Sequence, residues 1–182
     1  YQAVKRCCDF LLAAILIVLL TPLMFILAVA VRLDSKGPVL FRQQRVGRNG
    51  ELFAIYKYRT MRLETPENCP THLLRDARTY ITRVGRFLRK TSLDELPQLL
   101  NILKGDMSFV GPRPALFNQE DLISLREVCG VHTVRPGLTG WAQVNGRDEL
   151  PILEKALLDR EYLHRQSFFF DIKCFVLTFV CV

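Results

Sequence analysis

The sequence has little of what anchors metals or redox centres. Its three histidines, His72, His132 and His164, stand far apart, and none of its six cysteines forms a Cys-x-x-Cys pair. Zinc sites and dithiol redox centres need such spacing, so both are excluded. Cys7, Cys8, Cys174 and Cys181 lie in or beside apolar stretches, and Cys69 and Cys129 stand alone. All six are read as reduced, small apolar residues of a cytosol-facing protein. The phosphate loop Gly-x-x-x-x-Gly-Lys-Ser/Thr is missing, so side chains must hold any phosphate. Aromatics are not interleaved with basic residues in a nucleic-acid module, and no nucleic-acid partner is expected. Repeats and low-complexity segments are absent.

Negative charge is also scarce. Lysine and arginine total 25 against 18 acidic residues, a net +7. Such an excess points to an anionic partner: lipid headgroups or nucleotide phosphates. The length of 182 residues suits one domain, taken as 1–182. The chain opens on Tyr1 and closes on apolar residues, which leaves a cut at either end open.

One long apolar run is present. Phe10–Val31 carries no charge, and as a helix it would reach about 33 Å, enough to cross a bilayer core of about 30 Å. Its length, and the Arg32-Leu33-Asp34 that follows, do not fit a signal peptide. Pro22 sits mid-segment and removes the helical partner of the Val18 carbonyl, while the Thr21 hydroxyl can bond back to Ile17. A sharp bend there would leave two arms of about 15 Å, each too short to cross. Lys5 and Arg6 before the segment, and Arg32, Lys36, Arg42 and Arg45 after it, make both flanks basic. Lys5 and Arg6 are read as membrane-interface cations. From these features a spanning helix and a re-entrant one stay equally open.

The rest reads as α+β, mainly helical. Strands at 39–41 and 52–56 flank the turn dipeptide Asn49–Gly50. Alternation sets Lys57 and Arg59 opposite Tyr56 and Tyr58. A basic helix is expected over about 73–88, and another through Leu96, Leu99, Leu100 and Leu103 to Gly105. The glycine- and proline-rich stretch 111–147 reads as a long shaped loop. A helix follows over about 151–165. The apolar tail 168–182 is too short to span and reads as interfacial or buried.

Asp94 and Glu95 are the candidate chemical groups. They open a helix in Thr91-Ser92-Leu93-Asp94-Glu95-Leu96-Pro97. Ser92 and Glu95 have capping-box spacing, so a purely structural role explains them as well. The same position keeps a carboxylate ionised, able to attack phosphorus, while its neighbour could hold Mg²⁺. Arg113, clamped between Pro112 and Pro114, is stiffened for a phosphate grip, though a rigid surface turn would look the same. Lys57, Arg59 and Arg89 could add phosphate contacts or form a membrane-facing basic surface. Arg135, Pro136, Gly137, Trp141, Gln143, Asn145 and Arg147 mix tight turns, an aromatic and amides. That suits a nucleotide, but taken alone the segment reads more readily as a packed loop around a core tryptophan.

These residues together resemble the monotopic bacterial phosphoglycosyl transferases, or bacterial sugar transferases. The match runs through Lys5-Arg6, Asp9, Ser35-Lys36-Gly37-Pro38-Val39-Leu40-Phe41-Arg42-Gln43 and Tyr56-Lys57-Tyr58-Arg59-Thr60-Met61. It continues through Thr91 to Gln98, Lys104-Gly105-Asp106-Met107-Ser108, Gly111-Pro112-Arg113-Pro114, Arg135 to Arg147 and Phe168 to Lys173. The resemblance implies transfer of a sugar-1-phosphate from a UDP-sugar to polyprenol phosphate, usually undecaprenyl phosphate, with release of UMP. It implies a covalent phosphosugar on Asp94 and Mg²⁺ on Glu95. It also implies a re-entrant helix broken at a Ser-Pro pair, here Thr21–Pro22, in the bacterial inner membrane, with the catalytic part facing the cytoplasm. The reaction would start glycoconjugate assembly such as capsule or exopolysaccharide. Which sugar moves, and whether the protein is a homodimer, stay open. Two rivals remain: a single-pass anchored glycosyltransferase releasing UDP, and a polybasic membrane-binding module without catalysis.

Overall fold

The computed structural model describes residues 1–65, 77–146 and 150–181. Its first element is α1, Gln2–Asp34, one helix with Pro22 inside it. The expected break at Thr21–Pro22 is therefore not a gap in the helix. The Thr21 hydroxyl donates to the Ile17 carbonyl at 2.6 Å. That bond falls on the carbonyl next to that of Val18, which Pro22 leaves without a helical donor, and such back-bonding eases a bend.

One face of α1 packs on the body and the other is bare. Asp9, Ala13, Leu27 and Val31 are buried, and Leu16, Ile17 and Leu20 pack between them. Leu11, Ile15, Val18, Phe25, Ile26, Val29 and Leu33 are exposed. Among the described residues, this is the one helix long and apolar enough to cross a membrane. A bare apolar stripe of that length is unfavourable in water and suits lipid.

Both ends of α1 are tied down. Arg6 donates to the Ile102 and Leu103 carbonyls at 2.5 and 2.9 Å, in α4 (Leu99–Lys104). Lys5 pairs with Asp171 at 2.5 Å, in α8 (Phe168–Cys181). The expected interface cations are thus internal anchors. A helix C-terminus and a carboxylate lie within their reach, and both favour positive charge. At the other end Asp34 accepts from the Val84 amide at 2.9 Å.

The hairpin forms as expected but is longer. Strands β1 (Leu40–Val46) and β2 (Leu52–Tyr58) pair antiparallel, from Leu40 opposite Tyr58 to Val46 opposite Leu52. Asn49 and Gly50 have φ of 56° and 79°, the left-handed pair that a tight hairpin turn requires.

The basic helix expected over 73–88 lies in its first four residues outside the described ones. The remainder is two helices, α2 (Ala77–Tyr80) and α3 (Arg83–Lys90). Between them Ile81 bridges to Met61, and the Thr82 hydroxyl caps α3 by accepting from the Gly85 amide at 3.0 Å. A threonine cap starts a new helix rather than continuing an old one. Gly85 lets α3 lie on the strand exit: a Cβ there would sit 2.1 Å from the Thr60 carbonyl oxygen. Gly85→Ala must push two backbones apart, and thermal unfolding should show a loss of about 3 kcal/mol.

The stretch read as a long loop holds α5 (Glu120–Val128), β4 (Gly137–Thr139) and α6 (Trp141–Val144). Strand β4 runs parallel to β3 (Ser108–Val110). A Cβ on Gly137 would meet the Gly111 amide at 2.2 Å, so only glycine permits this pairing. Helix α7 (Ile152–Arg165) buries Ala156, Asp159 and Tyr162. It leaves Ile152, Leu153 and Leu157 exposed, the reverse of a simple apolar-inside pattern. Helix α8 shows the buried packing expected of the tail on one of its faces. Phe170 and Cys174 are buried, while Phe168, Phe169, Phe175, Val176 and Phe179 face outward. The main core joins Ala13 of α1 to Ile55, Leu99, Ile102, Phe109, Tyr162 and Phe170, each burial contributing about 1.5–3 kcal/mol for a large side chain. A second cluster joins Leu27 and Val31 to Tyr58 and Leu88.

Candidate active site

The segment carrying Asp94 and Glu95 does not form the capping box its spacing suggested. Residues Leu93–Gln98 make a 3-10 helix, and Ser92 makes no side-chain cap. Ser92 instead has φ 55°, a left-handed conformation uncommon for a residue with a Cβ. This turn brings the Asp94–Glu95 pair up to strand β2, where Glu95 meets Lys57. Pro97 then lets the tight helix pass into α4, which Gly105 closes at φ 101°.

Freed from capping, Glu95 gathers two cations. Its Oε1 accepts from Lys57 Nζ at 2.6 Å and from Arg113 Nη2 at 2.8 Å. Lys57 comes from β2 and Arg113 from the Gly111–Pro114 segment, so three distant pieces of chain meet here. Burial alone would raise the Glu95 carboxyl, but Arg113 and Lys57 outweigh it and hold it far below the ordinary carboxylate range. Burial lowers the Lys57 ammonium, with Glu95 pulling it back up and Arg113 lowering it further.

Asp94 sits beside this cluster, buried to 9% exposure. Burial pushes its carboxyl up; Lys57 draws it down, Glu95 pushes it up and Arg89 draws it down, and the net direction is upward. The sequence argument that a helix terminus keeps it ionised therefore captures only part of its surroundings. Desolvation opposes the charge and outweighs the neighbouring cations. Arg89 is fixed by its Nε donating to the Thr60 hydroxyl at 2.9 Å.

Of the four expected phosphate residues, one parts company with the rest. Lys57, Arg89 and Arg113 converge on the carboxylates. Arg59 turns away, and its Nη2 donates to the Ser35 carbonyl and hydroxyl at 2.7 and 2.9 Å. It anchors the end of α1, because strand β2 has already ended at Tyr58 and alternation no longer governs it.

The residues expected at a nucleotide are spread through the fold. Arg135 Nε donates to the Gly105 carbonyl at 2.8 Å. Pro136 and Gly137 form backbone bonds to Ser108 and Pro112. Trp141 packs on Phe170 at 5.0 Å between ring centres and donates to Glu161 at 2.9 Å. Gln143 donates to the Leu138 carbonyl, and Asn145 to that of Trp141. Arg147 lies outside the described residues. The packed-loop alternative fits Trp141, Gln143 and Asn145. The Arg135–Gly137 backbone runs directly beside Gly111, in the segment that bears Arg113.

Sequence reasoning missed Thr60, Arg126 and Asp159. Arg126 Nε and Nη2 donate to Asp159 Oδ2 at 2.9 and 2.6 Å, and its Nη1 donates to the Arg113 carbonyl at 2.8 Å. The one available signal was Asp159 itself, a carboxylate midway between Ala156 and Tyr162 on the buried stripe of α7.

A magnesium ion takes oxygen donors, carboxylates above all. No group of three His, Cys, Asp or Glu gathers among the described residues, which therefore offer no self-sufficient cage. Glu95, held ionised, with Asp94 adjacent, gives oxygen donors suited to a hard cation whose remaining ligands are waters and substrate phosphates. The residues fit magnesium on those terms.

Comparison with known proteins places the chain among sugar transferases. The chain is 44% identical over 97% of its length to a protein of Escherichia coli (strain K12) named UDP-glucose:undecaprenyl-phosphate glucose-1-phosphate transferase, of which it spans 39%. It is 46% identical over 79% of its length to UDP-N-acetylgalactosamine-undecaprenyl-phosphate N-acetylgalactosaminephosphotransferase of Aeromonas hydrophila, spanning 34% of that protein. It is 45% identical over 96% of its length to the uncharacterized sugar transferase EpsL of Bacillus subtilis (strain 168), spanning 84% of it. The model of the bacterial sugar transferase family matches residues 1–182, and the chain belongs to that family.

Proposed function

We propose that the protein moves a sugar-1-phosphate from a UDP-sugar to polyprenol phosphate, releasing UMP, through a covalent phosphosugar on Asp94. The observation that carries this reading is the buried cluster in which Glu95 binds Lys57 and Arg113 beside a desolvated Asp94. A cap or a polybasic membrane surface needs no such arrangement. Names of relatives that act on undecaprenyl phosphate support the same substrate class.

In the first step an Asp94 oxygen bonds to the β-phosphorus. The bond from that phosphorus to the bridging oxygen breaks, and UMP leaves with its electron pair. Lys57, Arg89 and Arg113 offset the negative charge that the diphosphate brings to two carboxylates. In the second step an oxygen of polyprenol phosphate attacks the same phosphorus, and Asp94 leaves as carboxylate. When bound, Mg²⁺ would be held by Glu95 with the substrate phosphates and would supply further charge neutralisation.

The test is incubation of the protein with UDP-glucose, UDP-N-acetylgalactosamine and other UDP-sugars, with and without polyprenol phosphate. A two-step route gives UMP without lipid, in an amount no greater than the protein, and a phosphosugar adduct by intact mass. UDP in place of UMP would sink the reading. So would UMP that forms only with lipid present and leaves no adduct.

The same reading places both ends of α1 on the cytoplasmic side of the membrane. Support comes from the anchors: Arg6 and Lys5 at its start, Asp34 at its end, and the Tyr58 hydroxyl donating to the Met24 carbonyl between them. A crossing helix would have to carry one anchored end to the far side. Pro22 leaves the helix free to bend between the anchors. A single-cysteine variant at Gln2 should label only from the cytoplasmic side; labelling from outside the cell alone would overturn this topology.

A further inference from the structure

We propose that Arg126 and Asp159 are positioning residues for Arg113, a buried ion pair whose task is to hold the arm that grips Glu95. The proposal rests on the function proposed above only for its kinetic consequence. Arg113 lies between Pro112 and Pro114, which have no amide hydrogen to donate. The segment is therefore fixed through its carbonyls. Pro112 accepts from the Gly137 amide at 2.9 Å and Ala115 from the Val46 amide at 3.0 Å. Pro114 accepts from Arg45 at 3.1 Å and Arg113 from Arg126 at 2.8 Å. Four consecutive carbonyls are tied, and the one on Arg113 itself is tied by Arg126.

Arg126 can do this because Asp159 holds the other edge of its guanidinium. The fork places Nε and Nη2 on Asp159 Oδ2 and leaves Nη1 for the Arg113 carbonyl. Arg126 is 8% exposed and Asp159 1%. As a stabilising device the pair is poor, since Asp159 Oδ1 is buried with no partner. Buried ion pairs seldom outperform well-packed apolar residues, and one with an orphaned oxygen does worse. What apolar residues in their place would not supply is the bond to Arg113. Helices α5 and α7 are thereby linked to Glu95 through one chain of contacts: Asp159, Arg126, the Arg113 backbone, its guanidinium, Glu95 Oε1.

Two variants separate positioning from folding. Arg126→Met with Asp159→Leu replaces the pair by apolar residues and is expected to fold. Arg126→Lys keeps the charge opposite Asp159 but loses the fork that reaches both partners. The first readout needs no substrate: guanidinium NMR of the detergent-solubilised protein, with Arg113 assigned through Arg113→Lys. The Arg113 signals should be slow-exchanging in the parent and collapse to those of a free arginine in both variants. The second is kcat/KM. Each variant should lose about tenfold, the scale of a small displacement of a charged contact. On an Arg113→Ala background neither should lose more. Unchanged Arg113 signals would overturn the proposal, as would a tenfold loss that persists without the Arg113 side chain. If the parent transfers no sugar phosphate, the function proposed above fails while the NMR readout still decides this one. Should the double variant not fold, Arg126→Lys carries the same two readouts.

Discussion

Asp94→Asn is expected to remove both the lipid-independent release of UMP and steady-state transfer, by at least about a thousandfold, because no second nucleophile replaces a covalent one. Rapid-quench measurement of UMP, with intact-protein mass for the adduct, checks it. The fold should survive, for an electrostatic reason. The Asp94 carboxyl is raised by burial in the folded state, so its ionised form opposes folding. That cost appears as pH rises from the ordinary carboxylate value, about 3.9, through the raised one, and it vanishes below both. Asn removes the charge and the cost together. The variant should melt no lower than the parent at neutral pH. The acid limb of parent kcat/KM, which reports the free enzyme, should lie above about 3.9. A stoichiometric UMP burst from Asp94→Asn would assign the nucleophile elsewhere.

Glu95→Gln should be damaging in a different way. Glu95 is the shared counter-ion of Lys57 and Arg113, and all three lie in the same partly buried cluster. Gln keeps the shape and removes the charge, leaving two cations facing each other. Breaking a buried pair in this manner costs about 3 kcal/mol, and displaced phosphate groups should lower kcat/KM about a hundredfold. The pH dependence has the opposite sign to that of Asp94. Glu95 is held far below the carboxylate range, so its contribution is complete above about 4.3, the unfolded value. It fades as pH falls toward the depressed one. In metal-free buffer the gap in melting temperature between parent and Glu95→Gln should be widest near neutrality and shrink below about pH 4. A constant gap would mean that shape rather than charge is what Glu95 provides. Full activity in Glu95→Gln would remove it from the site altogether.

The capping-box reading of Ser92 and Glu95 failed for an instructive reason. Two residues three apart can satisfy one another only if nothing stronger competes. Lys57 and Arg113 offer Glu95 two charge-assisted bonds, which are worth more than a neutral amide contact. Those partners are 38 and 18 residues away in sequence, out of sight of any local rule. Arg59 failed in the reverse direction. It was placed beside Lys57 by strand alternation, but the strand ends one residue earlier, and Ser35 was closer to hand.

What the sequence by itself determined was whatever local chemistry settles. The apolar run of α1 is legible because uncharged residues in such number have one natural solvent. The hairpin turn is legible because Asn49–Gly50 tolerates two left-handed residues in a row. The carboxylates Asp94 and Glu95 and the proline-clamped Arg113 stand out by residue type and spacing. The tertiary structure alone decided which charges meet. It ran α1 unbroken through Pro22, turned Lys5 and Arg6 inward, cut the basic helix at Thr82 and set Asp159 against Arg126. Each of these outcomes depends on an acceptor or a packing surface supplied from elsewhere in the chain. A charge takes its partner from the space that folding creates, and that space is absent from any window of sequence.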